Sequence, residues 1–192
     1  MWNMRKLVFS MVFTAAVAFF VVSTAAQQTH PPMYTDRGAC PFECCTYQRW
    51  SVAKNTVAYA LPNKSSKRVG VYKKGSRVRG LTGEVRTTQP GKFVVTKPHD
   101  KYRPGDILWV YTPQGEGFYK IWFGGKMVEE ELIYMSGPYE QSGIKCEDRE
   151  DCWGKLEVEL KDDWWVKVRS AAGWVGWTNE TGNFRGMDKC GG

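Results

Sequence analysis

Alternation of apolar and polar positions dominates the chain. In Trp164-Trp165-Val166-Lys167-Val168-Arg169, the residues Trp164, Val166 and Val168 fall on one side of a period-two strand, and Trp165, Lys167 and Arg169 fall on the other. The Ser170–Gly173 connection supplies a glycine for a left-handed turn position, so Val175-Gly176-Trp177 is predicted to return as the second strand of a hairpin. Gly176 leaves a gap there that a bulky neighbour or another backbone can approach. Further strands are predicted over 46–52 and 55–61, stopped by Pro62-Asn63, and over 77–87, where Gly80 and Gly83 mark bends or bulges. After the Gln89-Pro90-Gly91 turn and Phe93-Val94-Val95, the most strand-like residues are 107–111 and 118–123. Gly124-Gly125 is a two-residue hairpin signal, with 126–129 returning and 129–134 ending as a strand or a helical turn.

Two of these stretches carry a resemblance. The run W-V-K-V-R-S-A-A-G-W-V-G-W-T at 165–178 resembles the closing hairpin of bacterial SH3-like (SH3b) domains, and Val69-Gly70-Val71-Tyr72-Lys73-Lys74-Gly75-Ser76-Arg77-Val78-Arg79-Gly80-Leu81 resembles an earlier element of the same family. The resemblance implies an all-β fold of small antiparallel SH3-like barrels. Such barrels are small, yet residues 82–163 separate the two pieces. Either the barrel carries an insertion or the chain holds two barrels, the second degenerate. F-Y-K-I-W-F-G-G-K at 118–126 loosely echoes the closing hairpin, the pattern of an internal repeat in which two barrels close with the same hairpin. The expected organisation is a complete barrel over 40–135 and a partial second unit over 136–192, with a disulfide-tied tail.

The N-terminus reads differently. Arg5 and Lys6 precede the apolar run 7–22, and Ser23-Thr24-Ala25-Ala26 offers small residues for cleavage, so residues 1–26 read as a secretory signal peptide and export follows. No later segment is apolar enough to cross a membrane. Residues 27–39, polar and with Pro31-Pro32, read as a flexible leader. The six cysteines, Cys40, Cys44, Cys45, Cys146, Cys152 and Cys190, read as three disulfides in an exported chain. Cys190 is expected to pair with one of the first three, because tying the two ends closes the longest loop. A zinc site at Cys40, Cys44 and Cys45 lacks histidine partners and the usual spacing, and the acidic loop 147–151 lacks the spacing of a calcium loop.

Charge and aromatics supply the candidate chemistry. Residues 64–103 hold twelve basic against two acidic side chains, and 104 to the end ten against sixteen. Outside the cytoplasm a basic patch suits a cell-wall polymer better than nucleic acid. Nine tryptophans are present. Alternation cannot bury both Trp164 and Trp165, nor easily both Trp174 and Trp177, so at least one faces outward, where a ring with an N–H can stack on a sugar or peptide. The candidate ligand-binding residues are therefore Trp165 and Trp174 beside Lys167 and Arg169, with Lys101, Tyr102 and Arg103 in the proline-flanked basic loop 97–105. Trp109, Trp122, Trp164 and Trp177 are assigned to the core. Asn63-Lys64-Ser65 and Asn179-Glu180-Thr181 match glycosylation acceptors, read as chance in a bacterial-type sequence. No nucleophile motif, metalloprotease motif or P-loop occurs, so no catalytic residue, metal or cofactor is assigned. The resemblance implies an exported binding module for peptidoglycan or another envelope ligand. The alternatives are a secreted protein-interaction or inhibitor domain, and an envelope hydrolase.

Overall fold

The computed structural model describes residues 29–132 and 152–190. The segment read as a signal, 1–26, and the acidic loop with Cys146 lie outside these residues. The described chain is all-β, apart from a single 3-10 turn at Thr181–Asn183. Its strands are β1 (Tyr34–Arg37), β2 (Arg49–Val52), β3 (Thr56–Tyr59), β4 (Arg68–Tyr72), β5 (Arg77–Gln89), β6 (Gly91–Val95), β7 (Ile107–Gly115), β8 (Phe118–Phe123), β9 (Lys126–Glu131), β10 (Gly154–Val158), β11 (Lys161–Arg169), β12 (Val175–Thr178) and β13 (Phe184–Arg185). Among the described residues no helix is long and apolar enough to cross a membrane.

The first sheet curls into a half-barrel in the order β13-β2-β5-β11-β12-β3-β4, with β1 added to the far half of β5. Its inner face follows the alternation. Trp50, Val52, Ala58, Tyr72, Val78, Val166, Val168 and Phe184 form one buried cluster, with Trp164 and Trp174 packed against it. Gly80 is needed at its position because the Trp50 ring lies against it: a Cβ there would sit 2.4 Å from the indole. A bulge falls where the β5–β11 register shifts between Lys167 and Val168, opposite the expected bend at Gly80. Gly176 faces Ala58 and Val69, the close neighbours its lack of a side chain admits.

The second sheet, β10-β6-β7-β8-β9, has its own core of Phe93, Val95, Tyr102, Leu108, Val110, Tyr119, Ile121, Leu132 and Trp153. Its chain leaves the first sheet after Gln89 and comes back at Lys161, and those two residues are paired partners on β5 and β11. The chain is thus one curled sheet with a sheet-forming insertion, and a boundary at 135/136 does not follow it. The echo at 118–126 is the β8–β9 hairpin, turned by Gly124 and Gly125 at φ 58° and 82°; it belongs to the insertion and closes no second barrel.

The leader is also ordered from residue 29 onward. Tyr34–Arg37 pairs with 84–87 of β5, His30 stacks on Trp109 at 3.7 Å between ring centroids, and Lys120 Nζ reaches Asp36 at 2.7 Å. This strap joins the two sheets. Its sequence hides it, because the strand is held by backbone pairing and one buried carboxylate and not by apolar alternation. Disulfides Cys40–Cys45 and Cys44–Cys190 fasten the strap and the tail beside the barrel, as expected for Cys190. Cys152 is disulfide-bonded too.

Candidate ligand-binding face

The outer face of the half-barrel is set by strand register. Arg49 on β2 is the direct partner of Arg79 on β5, and Arg79 is the direct partner of Arg169 on β11. Direct partners on antiparallel strands project from the same side, so three guanidiniums stand in a row across three neighbouring strands. All three residues are exposed, and none has an ion-pair partner among the described residues. One step along the strands, Lys167 pairs with Trp177 of β12, its Nζ 5.7 Å from the indole centroid. Arg77 lies on the same face of β5 as Arg79.

Carboxylates on this face are engaged elsewhere. Glu84 is buried and bound by Arg86, Nη2 to Oε1 2.6 Å. Asp163 accepts from Trp165 Nε1 at 2.6 Å and from Asn179 Nδ2 at 3.0 Å. Among the described residues the arginine row therefore lacks local neutralisation. Beside Arg49 and Arg79 opens a cavity of about 500 Å³ that is also lined by Tyr47 and Gln48. The Tyr47 phenol donates to the Ala39 carbonyl and accepts from Trp164 Nε1 at 3.3 Å; burial pushes its pKa up, against the lowering effect of that indole. The Gln48 amide donates to the Gly186 carbonyl at 3.4 Å.

The sequence-derived site residues separate into two places. Lys167 and Arg169 lie on the outer face, as their alternation indicates. Trp165 shares that side but is only 3% exposed, covered by Tyr59 and tied to Asp163, so it offers no ring to a ligand. Trp174 is half-buried, stacked on Tyr72 at 4.6 Å and against Gly70, which makes it part of the wall. Trp177 takes the position these two were expected to hold. The hairpin register that places it opposite Lys167 follows from the turn length, and was a signal available in the sequence. Arg49 and Arg79 had no such signal, since their pairing depends on contact between separate strands.

The loop 97–105 belongs to the second sheet. Tyr102 is 1% exposed, lies parallel to Trp153 at 5.6 Å, and donates to Glu130; burial and that carboxylate raise its pKa. Lys101 is held near Glu130 at 3.3 Å, and Arg103 is exposed without an ion pair among the described residues. Trp109 and Trp122 are paired partners on the side of the second sheet opposite its core, with His30 laid over Trp109, and so are not core residues. Glu43, Cys44 and Cys190 bring their ligand atoms within 4.8 Å of one another, but the two sulfurs are bonded to each other and lost as thiolate ligands. The chain matches no protein-family model, no curated protein and no solved structure.

Proposed function

We propose that the protein is an exported, non-catalytic binding module that holds an anionic polymer of the cell envelope, peptidoglycan being the first to test, on the outer face of its half-barrel. The observation that carries this reading is the row Arg49–Arg79–Arg169, exposed and without carboxylate partners among the described residues. Like charges directly opposed across strands destabilise a sheet, so a row of three is a feature that folding alone does not favour and an anionic ligand would relieve. Trp177 beside Lys167 adds a flat ring of the kind that stacks on sugars. Disulfides agree with an oxidising compartment. The SH3-like resemblance points the same way, and its two pieces fall on β4–β5 and β11–β12 of a single curled sheet.

Co-sedimentation with purified peptidoglycan sacculi across a salt series tests it. Pelleting should weaken as salt rises and be lost in an Arg79→Gln, Arg169→Gln double variant that retains its near-UV circular dichroism. No pelleting of the wild type at low salt removes the wall-binding reading. A protein partner then becomes the leading reading, favoured by strand β4: among the described residues it ends its sheet and is paired only with β3, and it exposes Val69, Val71 and nearby Leu61.

A further inference from the structure

The cavity at the Arg49 end of the row has a charge count that a polymer-binding face alone does not require. Of the four described residues that line it, two are Arg49 and Arg79, directly opposed across β2 and β5. A carboxylate carries a single negative charge, which one guanidinium offsets, and it would leave the second guanidinium unneutralised. A phosphate monoester carries close to two negative charges at neutral pH and three peripheral oxygens, enough to engage both forks together. The remaining lining residues suit what the phosphate is attached to. Tyr47 has its hydroxyl committed on both its donor and acceptor sides and can offer only ring surface, while the Gln48 amide donates to Gly186 and keeps its carbonyl for a hydroxyl donor. A cavity of about 500 Å³ accommodates the phosphate together with a sugar-sized residue.

We infer that this cavity is a phosphomonoester site which accepts a phosphorylated sugar, with Arg49 and Arg79 as the phosphate clamp and Arg169 as a third cation flanking it. The inference rests on the basic-face reading above and names the ligand group that face anchors.

Phosphate ionisation provides the test, because its second proton leaves near pH 6 whereas a carboxylate is already ionised at pH 5. The charged and titratable groups on the elements around the cavity are Arg49, Arg77, Arg79, Lys167 and Arg169 of the sheet, Arg185 of β13, Tyr47, whose phenol burial pushes up, and, on the tail, Lys189 and Asp188, whose carboxylate accepts the Cys190 N–H at 2.7 Å. His30 and His99 stack on Trp109 and Trp153 of the other sheet. Asp162, raised by desolvation and then by Asp163 although its side chain reaches solvent, sits at the far end of β11.

Calorimetric titration of the disulfide-intact protein with glucose 1-phosphate and with glucuronate, at pH 5.0 and 7.5 and low constant ionic strength, should give phosphate binding about tenfold tighter at the higher pH and glucuronate binding that is weaker and flat. Arg49→Gln and Arg79→Gln should each weaken the phosphate ester about tenfold or more, and Lys126→Gln on β9 should leave it unchanged. Retained near-UV circular dichroism shows that each variant is folded. Equal affinity at the two pH values, glucuronate binding as tight as the phosphate, or unaltered binding in Arg49→Gln would each overturn the assignment. Absence of glucose 1-phosphate binding from a protein that still pellets with sacculi overturns the cavity assignment alone; absence of both overturns the polymer reading as well.

Discussion

Replacing Arg79 with glutamine removes the middle charge of the row while keeping a long polar side chain at an exposed strand position. Arg79 faces Arg49 on one side and Arg169 on the other. Directly opposed Cβ atoms stand about 5 Å apart, and splaying of the side chains puts the charges at about 6.5 Å. Coulomb repulsion in water at that distance is about 0.6 kcal/mol per pair. Screening with a Debye length of about 30 Å at 10 mM salt leaves about 0.5 kcal/mol per pair, so two pairs amount to about 1 kcal/mol; at 1 M salt, with a length of about 3 Å, about 0.1 kcal/mol is left in total. Arg79→Gln should therefore be more stable than wild type, its midpoint higher by about 2–4 °C at 10 mM salt and by less than about 1 °C at 1 M. Arg49→Gln and Arg169→Gln each relieve one pair and should gain about half as much. Thermal unfolding followed by near-UV circular dichroism at both salt concentrations reads all of this. A lower midpoint for Arg79→Gln at 10 mM, a gain that persists at 1 M, or equal gains for the three single variants would show that the row is not a locus of uncompensated repulsion.

Further outcomes follow from the same structure. Loss of Cys44–Cys190, which spans 146 residues, should cost about 5 kcal/mol in the loop-entropy account, and loss of Cys40–Cys45, which spans 5, about 2 kcal/mol; urea unfolding of the Cys44→Ser, Cys190→Ser and Cys40→Ser, Cys45→Ser pairs checks the order. Gly80→Ala drives a methyl group into the Trp50 ring and should destabilise by about 1–3 kcal/mol, with a shift in the near-UV tryptophan signal. Burial pushes the Tyr111 phenol up to about 12 and raises Tyr72 and Tyr102 further. The folded state thus keeps protons that the unfolded state releases near pH 10, so this stabilisation is complete below pH 10 and is lost as pH rises towards 12. Phenolate absorbance should accordingly appear for these three together with unfolding, and independent ionisation of all nine tyrosines near pH 10 would contradict it.

What was legible in the sequence was local. The two faces of Trp164–Arg169, the turn before Trp174, the gap at Gly176 and the Gly124-Gly125 hairpin all depend on neighbours within a few residues, where period and turn chemistry act. The Cys190 tie was legible because chain entropy favours a long closed loop. The arginine row was not: Arg49, Arg79 and Arg169 meet only through the register of β2, β5 and β11, and a shift of one residue would turn any of them to the other face. Trp165 misled for a related reason. It does point away from the core, but Tyr59 and Asp163 cover that side of the sheet, and neither neighbour is visible from period alone. The single-sheet topology was masked because Gln89 and Lys161, adjacent across β5 and β11, enclose a stretch of chain with a hydrophobic core of its own.

The Cys44–Cys190 bridge also has a mechanical meaning. A pull applied between chain ahead of Cys44 and chain beyond Cys190 runs through the sulfur–sulfur bond and bypasses the segment between them. The backbone hydrogen bonds that β2 to β13 make with one another then lie outside the path of the load. Among the described residues the load falls on the chain ahead of Cys44, on its pairing of β1 with β5 and on strap contacts such as those of His30 and Asp36. A module tethered by its ends to something that moves would keep its ligand face assembled for as long as that one covalent bond held, and would give way in shear when it was reduced.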